Sequence, residues 1–208
     1  MLPGFSRGRF CLRDGLRDIS AWVICGTMLS GCVLAKGQPG GDTLRFQKHV
    51  IDKGTTAETC AVADVNEDGQ VDIISGEYWY EAPDWKKHQF RTIPIFHDYV
   101  DDFGVLPLDV NGDGYLDIIS GSHFQKMIVW YENPKTSGGL WKRYLIESGL
   151  NIEIISLVKL KSNSEVEQIL PNYGGAEQVA WFELSRTESG QVEWSRHLVS
   201  KRGNAHGI

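Results

Sequence analysis

An acidic motif that occurs twice constrains this chain more than any other feature of its sequence. The motif is DVNEDGQVDIISG at 64–76 and DVNGDGYLDIISG at 109–121, and each copy runs directly into an apolar stretch. A second marker, WYE or WFE, occurs at 79–81, 130–132 and 181–183. Markers that recur in one order at a similar spacing indicate a repeat protein, in which every unit is one small supersecondary structure.

Each unit also carries an opener, in which a large aromatic residue precedes a histidine or tyrosine by three positions. The four openers begin at Phe46, Trp85, Trp141 and Trp194. The segments between the markers are rich in β-branched and aromatic residues, are separated by Pro and Gly, and show almost no helical periodicity. Units of about 40 to 55 residues with roughly four strands each predict the blades of a β-propeller.

The predicted fold is therefore all-β, with a β-propeller over 46–208 that is incomplete in this chain. Its blades would span 46–84, 85–140 and 141–193, and 194–208 would form an orphan strand. A closed ring usually needs about four to eight blades. Because the chain ends where a further acidic loop is due, we expect a truncated reading frame or a partner chain that completes the propeller.

The acidic motif has the oxygen-rich spacing of a calcium loop. Counting from Asp64 or Asp109, positions 1, 3, 5 and 9 carry Asp, Asn, Asp and Asp, and position 6 is glycine. Calcium takes six to eight oxygen ligands, and the glycine allows a turn that presents the main-chain carbonyl of position 7. The predicted ligands are Asp64, Asn66, Asp68, Gln70 and Asp72 in the first loop and Asp109, Asn111, Asp113, Tyr115 and Asp117 in the second.

Two other structures use acidic loops of this kind. An EF-hand requires a glutamate at position 12, where this chain has Ser75 and Ser120, and it requires helices on both sides. An Asx-turn with solvated carboxylates needs no metal and is the alternative that stays open.

Both loops resemble the calcium loops of FG-GAP/VCBS repeats, a family that includes the propeller of integrin α chains and many exported bacterial proteins. The closing WYENP at 130–134 is similar to the bacterial branch of that family, and the resemblance covers about 46–208. It implies that each loop joins two strands of a blade, that calcium rigidifies the blade, and that the residues named above supply the ligands.

The third unit departs from this pattern. In VKLKSNSEVEQIL at 158–170, Lys159, Lys161 and Asn163 take the first three ligand positions, Ser164 replaces the glycine, and Glu167 falls at position 9. Two ammonium groups would repel a calcium ion, so this unit is predicted to be metal-free. A lysine that pairs with Glu167 in place of the ion is a second interpretation.

Residues 1–35 have the composition of an export segment. Four arginines precede the apolar run ISAWVICGTMLSG at 19–31, which is too short to span a bilayer comfortably. LSGC at 29–32 resembles a bacterial lipobox, in which Cys32 would be lipidated and anchor the chain to a membrane. Cleavage after Ala35, which would release a soluble protein, and an uncleaved signal anchor are the alternatives. All three predict an exported body that is periplasmic, outer-membrane-anchored or extracellular, with 36–45 as a linker.

Charge and cysteine content narrow the function classes. A net charge of -6 argues against nucleic-acid binding, which needs clustered Lys and Arg to displace counterions. Of the four cysteines only Cys60 belongs to the predicted globular part, so an internal disulfide cannot hold the loops. Calcium is the expected substitute.

The second unit has a longer stretch before its acidic loop than the other two units have. This insertion, HDYVDD at 97–102, carries His97, Asp98, Asp101 and Asp102 and is a candidate ligand loop. It could also be a solvated acidic loop. The histidines of the openers, His49, His88 and His197, occupy the same position as Tyr144 and are therefore expected to be structural.

Two function classes are consistent with these features. The first is an exported, calcium-stabilised propeller that acts as a binding or scaffold module for a glycan or protein ligand at the cell surface. The alternative is a sugar-processing enzyme of the polysaccharide lyase or sugar dehydratase type, which the family resemblance allows. A non-functional fragment is a third interpretation, and no catalytic motif decides among them.

Overall fold

A computed structural model describes residues 44–54, 56–136, 138–162, 167–175 and 178–202. The chain divides into two compact units, Met1–Gln47 and Lys48–Ile208, and the second unit is described below. The described residues form β-strands and no helix, so the predicted all-β class is confirmed. In this part of the chain no helix is long and apolar enough to cross a membrane. The export segment 1–35, with Cys32, lies outside the described residues.

The first sheet contains four antiparallel strands in chain order. They are β1 (Cys60–Ala63), β2 (Asp72–Ser75), β3 (Tyr78–Glu81) and β4 (Lys86–Gln89). The acidic loop 64–71 joins β1 to β2, because Ala63 pairs with Asp72 across the turn.

A short hairpin precedes the second sheet. It is formed by β5 (Ile95–Phe96) and β6 (Tyr99–Val100), with His97 and Asp98 at its tip. Both tip residues have positive φ, 50° and 69°, which is the conformation of a type I′ turn. The insertion noticed in the sequence therefore forms a hairpin of its own.

The second sheet repeats the meander of the first. Its strands are β7 (Gly104–Leu108), β8 (Asp117–Ser122), β9 (Met127–Glu132) and β10 (Lys142–Ser148). Leu108 pairs with Asp117 as Ala63 pairs with Asp72, so the acidic loop 109–116 occupies the same place as 64–71.

The third sheet is again a four-stranded antiparallel meander. Its strands are β11 (Ile152–Val158), β12 (Gln168–Tyr173), β13 (Val179–Arg186) and β14 (Val192–Ser200). Val158 pairs with Gln168, which makes the connection 159–167 the counterpart of the two acidic loops.

The structure changes the predicted boundaries of the units. Each opener after the first lies in or beside the last strand of the preceding sheet: Trp85 precedes β4, Trp141 precedes β10 and Trp194 lies within β14. The strand predicted to be an orphan is therefore paired, since β14 is bonded to β13 along its length. A short Pro- or Gly-containing turn separates each opener from the third strand with which it pairs. The predicted boundaries were wrong because this turn was interpreted as the end of a unit. Residues 46–54, the first opener, contain no strand.

The hydrophobic core lies between neighbouring sheets. One buried cluster joins the first and second sheets and includes Trp79, Val105, Ile118 and Tyr131. A second cluster joins the second and third sheets and includes Trp130, Ile155, Ile169 and Phe182. The second sheet is thus covered on both faces.

Two glycines of the second sheet allow the third sheet to approach closely. A Cβ atom on Gly104 would lie 2.1 Å from Cγ1 of Ile155, and one on Gly121 would lie 2.7 Å from Cγ2 of Ile152. Any larger side chain would have to displace β11.

A buried ion pair connects the first sheet to the segment before β7. Nη2 of Arg91 lies 2.9 Å from Oδ1 of Asp102, and both side chains are almost fully buried. Nε of Arg91 donates to the carbonyl of Gly76 at 2.8 Å, and Thr59 Oγ1 donates to Asp102 at 3.0 Å. Burial raises the pKa of Asp102, and the positive charge of Arg91 opposes that rise.

We predict that Arg91→Met lowers the free energy of unfolding by about 3 to 5 kcal/mol, because it leaves the Asp102 carboxylate buried without a counter-charge. The double variant Arg91→Met/Asp102→Leu should recover most of this loss. Urea unfolding monitored by tryptophan fluorescence measures both effects. Lys87→Met is the control, because its pair with Asp52 is partly exposed and should be worth about 1 kcal/mol or less. Equal losses in the single and double Arg91 variants would contradict this account.

Candidate functional site

The first acidic loop is organised by its own side chains. Oδ1 of Asp64 accepts the amide of Asp68 at 3.1 Å, and Oδ2 accepts the amide of Gly69 at 2.8 Å. Oδ1 of Asp68 accepts the amide of Gln70 at 2.8 Å. Gly69 has φ of 84°, which explains the glycine at position 6 of the motif. The loop therefore curls around the carboxylates at positions 1 and 5.

The second loop has the same arrangement. Asp109 accepts the amides of Asp113 and Gly114 at 3.1 Å each, and Asp113 accepts the amide of Tyr115 at 2.9 Å. Gly114 has φ of 92°. In both loops the asparagine at position 3 bonds to the aspartate at position 5, with distances of 3.2 Å for Asn66 and Asp68 and 2.9 Å for Asn111 and Asp113.

The aspartate at position 9 is buried at the start of the second strand and accepts two main-chain amides, one from its loop and one from the residue after the third strand. Asp72 accepts the amide of Val65 at 2.9 Å and that of Ala82 at 2.8 Å. Asp117 accepts the amide of Val110 at 3.0 Å and that of Asn133 at 2.8 Å. The carboxylate thus ties the loop to the residue that follows the third strand.

Burial raises the pKa of both position-9 carboxyls, to about 6 for Asp117. The nearby charges of Asp64 and Asp68 raise the pKa of Asp72 further, and the charge of Asp113 does the same for Asp117. Carboxylates placed this closely repel one another, and a cation would relieve the repulsion.

The predicted calcium ligands lie in two loops whose carboxylates bond to main-chain amides. Among the described residues, no group of three or more His, Cys, Asp or Glu side chains is arranged to hold a metal ion. The carboxylates at positions 1 and 5 accept amides of their own loop, and those at position 9 also accept the amide that follows the third strand. The donor set, which combines carboxylates, an amide oxygen and main-chain carbonyls, is nevertheless the hard-oxygen chemistry that calcium prefers. Calcium binding here stays a prediction.

In the third loop the position-9 residue is Gln168, and the alignment that gave this position to Glu167 is wrong. Gln168 is buried, and its Oε1 accepts the amide of Leu160 at 2.8 Å and that of Lys161 at 3.4 Å. The connection 159–167 is one residue longer than 64–71, and this insertion shifts the register. Asn163 and Ser164 lie outside the described residues.

A glutamate at or near the end of each third strand connects the loop to the fourth strand. Asn66 Nδ2 lies 3.3 Å from Glu81, and Asn111 Nδ2 lies 3.4 Å from Glu132. In the third sheet Lys161, at the same position as these asparagines, pairs with Glu183. The predicted partner of a lysine, Glu167, is therefore replaced by Glu183.

The opener histidines and tyrosine bond to the same glutamates. His88, Tyr144 and His197 contact Glu81, Glu132 and Glu183 at 2.7, 2.7 and 2.9 Å. Each ring also stacks on the tryptophan of its WYE or WFE marker, at centroid distances of 4.3, 4.4 and 3.9 Å. These contacts give His88 and His197 a structural role, whereas His49 is exposed and lies outside any strand.

The four residues of the candidate ligand loop are separated by the structure. His97 and Asp98 are exposed at the hairpin tip. Asp101 is buried and accepts the amides of His123, Phe124 and Gln125 at 2.8 to 2.9 Å. Asp102 pairs with Arg91 as described above. Only the two tip residues are therefore available to a ligand.

An aromatic cluster at this end of the second sheet could not be recognised from the sequence. Phe124 lies 5.3 Å from Phe96 of the hairpin, 6.2 Å from Phe103 and 5.0 Å from His123, measured between ring centroids. The four rings come from three separate segments of the chain. We call this group, together with the hairpin β5–β6, the aromatic end.

Polar side chains adjoin the aromatic end. Nδ1 of His123 lies 3.3 Å from Oε1 of Glu153, and Nε2 lies 3.1 Å from Nδ2 of Asn151. His123 and Glu153 are each about one-quarter exposed. An imidazole, a carboxylate and an amide thus reach the surface beside the aromatic rings.

Comparisons with known proteins bring no identification. No family model, curated protein or solved structure matches the chain. The candidate sites therefore rest on the residues and contacts of this chain.

We predict that Asp117→Ala and Asp113→Ala differ in calcium-free buffer. Asp117→Ala leaves two buried amides without an acceptor, and each such amide costs about 1 to 3 kcal/mol. Asp113 is on the surface and pairs with Lys135 at 3.3 Å, so its replacement should cost about 1 kcal/mol or less. Urea unfolding in the presence of a chelator measures the difference. Similar losses in the two variants would show that the buried carboxylate has no special role.

Proposed function

We propose that this chain is an exported, calcium-stabilised β-propeller segment that binds a glycan at its aromatic end. The stacking of the sheets supports the propeller, the chemistry of the two acidic loops supports calcium, and the surface of the aromatic end supports a glycan. Export is supported by the composition of residues 1–35. The proposed ligand binding depends on the aromatic end.

The sheet arrangement supports a propeller of FG-GAP/VCBS type. Three four-stranded antiparallel meanders follow one another along the chain and pack face to face through two buried clusters. In each of them the loop between the first and second strands begins at the equivalent pair of residues. Radial repetition of such sheets is the architecture of a propeller.

The two acidic loops are the proposed calcium sites. Asp64, Asn66, Asp68, Gln70 and Asp72 would hold one ion, and Asp109, Asn111, Asp113, Tyr115 and Asp117 the other. The ion would neutralise crowded carboxylates and rigidify the loop. The third loop would be metal-free, because Lys161 already supplies a positive charge to Glu183 and a neutral glutamine closes the loop.

The aromatic end lies opposite the acidic loops. The turn that carries His123 and Phe124 follows Ser122 at the far end of β8, whereas the acidic loop precedes Asp117 at the near end. Calcium at one end would therefore stabilise the sheets without blocking the other end. Loops positioned by a rigid scaffold are where ligands commonly bind.

The chemistry of the aromatic end fits a sugar. Tyr99 is 57% exposed, Ile95 64% and Phe96 36%, so the hairpin presents apolar surface to solvent. A pyranose has an apolar C–H face that packs on aromatic rings and hydroxyls that bond to carboxylates and amides, here Glu153 and Asn151. A small number of polar groups beside aromatic walls is the usual composition of a ligand site.

The proposed glycan site is tested by isothermal titration with oligosaccharides selected on a glycan array. Tyr99→Ala and Phe96→Ala should each weaken binding at least about fivefold, which corresponds to about 1 kcal/mol. Glu153→Gln should weaken it as well, because a charged acceptor is lost.

Trp85→Ala is the matched control for this titration. Trp85 is 37% exposed but belongs to the turn between β3 and β4, at the end of the acidic loops, so its removal should leave binding unchanged. An equal effect of all the aromatic variants would contradict the proposed location. If the chain binds no glycan but binds a protein through the same residues, its ligand is a protein and not a glycan.

A further inference from the structure

The two outer faces of the three-sheet stack differ from the two inner interfaces. In each interface, the tryptophan face of one sheet packs on the next sheet along the chain. Trp79 of the first sheet belongs to the cluster shared with the second, and Trp130 of the second to the cluster shared with the third. Among the described residues, no sheet covers the tryptophan face of the third sheet or the opposite face of the first.

The tryptophan face of the third sheet exposes residues that are buried in the other two sheets. Val65 and Val110, at position 2 of the acidic loops, are 2% and 0% exposed, whereas the equivalent Leu160 is 51% exposed. The side chain of His197 is 39% exposed, against 7% for His88. Trp181 and Leu170 are also partly exposed. This face has the side chains of an interface, but no neighbouring sheet lies on it in the part of the chain that the structure describes.

The face of the first sheet that points away from the second sheet has a cavity. At the equivalent position the inner interfaces are filled by side chains. Trp79 shares its cluster with Val105, Ile118 and Tyr131 of the second sheet. By strand register, the equivalents of those three residues in the first sheet are Cys60, Ile73 and Tyr80. These three residues line a cavity of about 390 Å³, whose other wall is the segment Lys48–Asp52. Beside it Val62 is 66% exposed.

Both inner interfaces also carry a polar contact to the loop of the preceding sheet. Asn133 Nδ2 donates to the carbonyl of Val65 at 2.9 Å, and Arg186 Nε donates to the carbonyl of Val110 at 2.9 Å. Each acidic loop thus meets a polar or basic side chain at, or directly after, the end of the third strand of the next sheet.

The charges of the two outer faces are reversed relative to these contacts. Lys135 and Arg186 are the third residues after Glu132 and Glu183, and the third residue after Glu81 is Asp84. Asp84 is exposed, as are Lys159 and Lys161 of the third loop. Arg186 contacts the main chain of the second acidic loop, and Lys135 lies beside Asn66 of the first loop while its ammonium pairs with Asp113 of its own sheet. In the same placement Asp84 would lie near the lysine-bearing loop, where Lys159 is exposed and Lys161 pairs with Glu183. The two outer faces are therefore opposite in charge at this point.

We propose that the tryptophan face of the third sheet docks on the first sheet of a second copy of this chain, with Trp181 and Leu160 entering the cavity of the partner. Such a contact is head-to-tail, and two copies joined at both ends would form a ring of six sheets. Six lies within the range of about four to eight blades found in closed propellers. The inference rests on the proposed propeller architecture and does not depend on calcium or on a glycan.

Sedimentation velocity and light scattering of the purified full chain test the proposal. The wild-type chain should have about twice the 23.3 kDa mass of one copy. Leu160→Glu and Val62→Glu, which charge the two opposite faces, should each give a monomer. Leu140→Glu is the control, because Leu140 is 61% exposed in the turn between β9 and β10 of the middle sheet and its replacement should leave the dimer intact.

Mixing the two face variants distinguishes head-to-tail docking from other dimers. The Leu160→Glu chain keeps an intact first-sheet face, and the Val62→Glu chain keeps an intact third-sheet face. An equimolar mixture should therefore form a dimer through one intact contact, although neither variant dimerises alone. A monomeric wild-type chain, a dimer that only one of the two variants disrupts, or a mixture that stays monomeric would overturn the proposal.

Discussion

The rest of the structure depends on one hydrogen bond in each sheet, which a buried side chain accepts. Asp72, Asp117 and Gln168 begin the second strand of their sheets, and each accepts the amide of the residue at position 2 of the preceding loop. In the first two sheets position 2 is Val65 or Val110, and the same bond that closes the loop also directs this apolar side chain toward the next sheet. One contact thus joins loop closure to sheet stacking in these two sheets.

This contact also explains how the loops can differ in charge without changing the fold. A carboxylate and a carboxamide both offer an acceptor oxygen, so Gln168 can replace aspartate although the two lysines of its loop are incompatible with a cation. The carboxylates add a second bond, to Ala82 or Asn133, which lowers their pKa, while burial raises it. A cation beside Asp72 or Asp117 would offset the cost of burying the charge.

Much of this architecture could be predicted from the sequence, because acidic loops and alternating β-branched strands have local signatures. The β-class and the strands on both sides of Asp64–Asp72 and Asp109–Asp117 follow directly from those patterns. The sheet to which each opener strand belongs could not be predicted, because pairing across a turn is decided by register. The position of Gln168 could not be predicted either, because one inserted residue shifts the register of its loop. The aromatic end could not be predicted because its rings come from separate segments of the chain.

Calorimetric titration of calcium into the chelator-treated chain tests the central claim most directly. Two loops closed by a buried aspartate and a third closed by a glutamine predict two calcium ions per chain. Asp68→Ala should remove one of them, and Asp113→Ala the other. Absence of calcium binding, or a third ion bound at the lysine-bearing loop, would contradict the account.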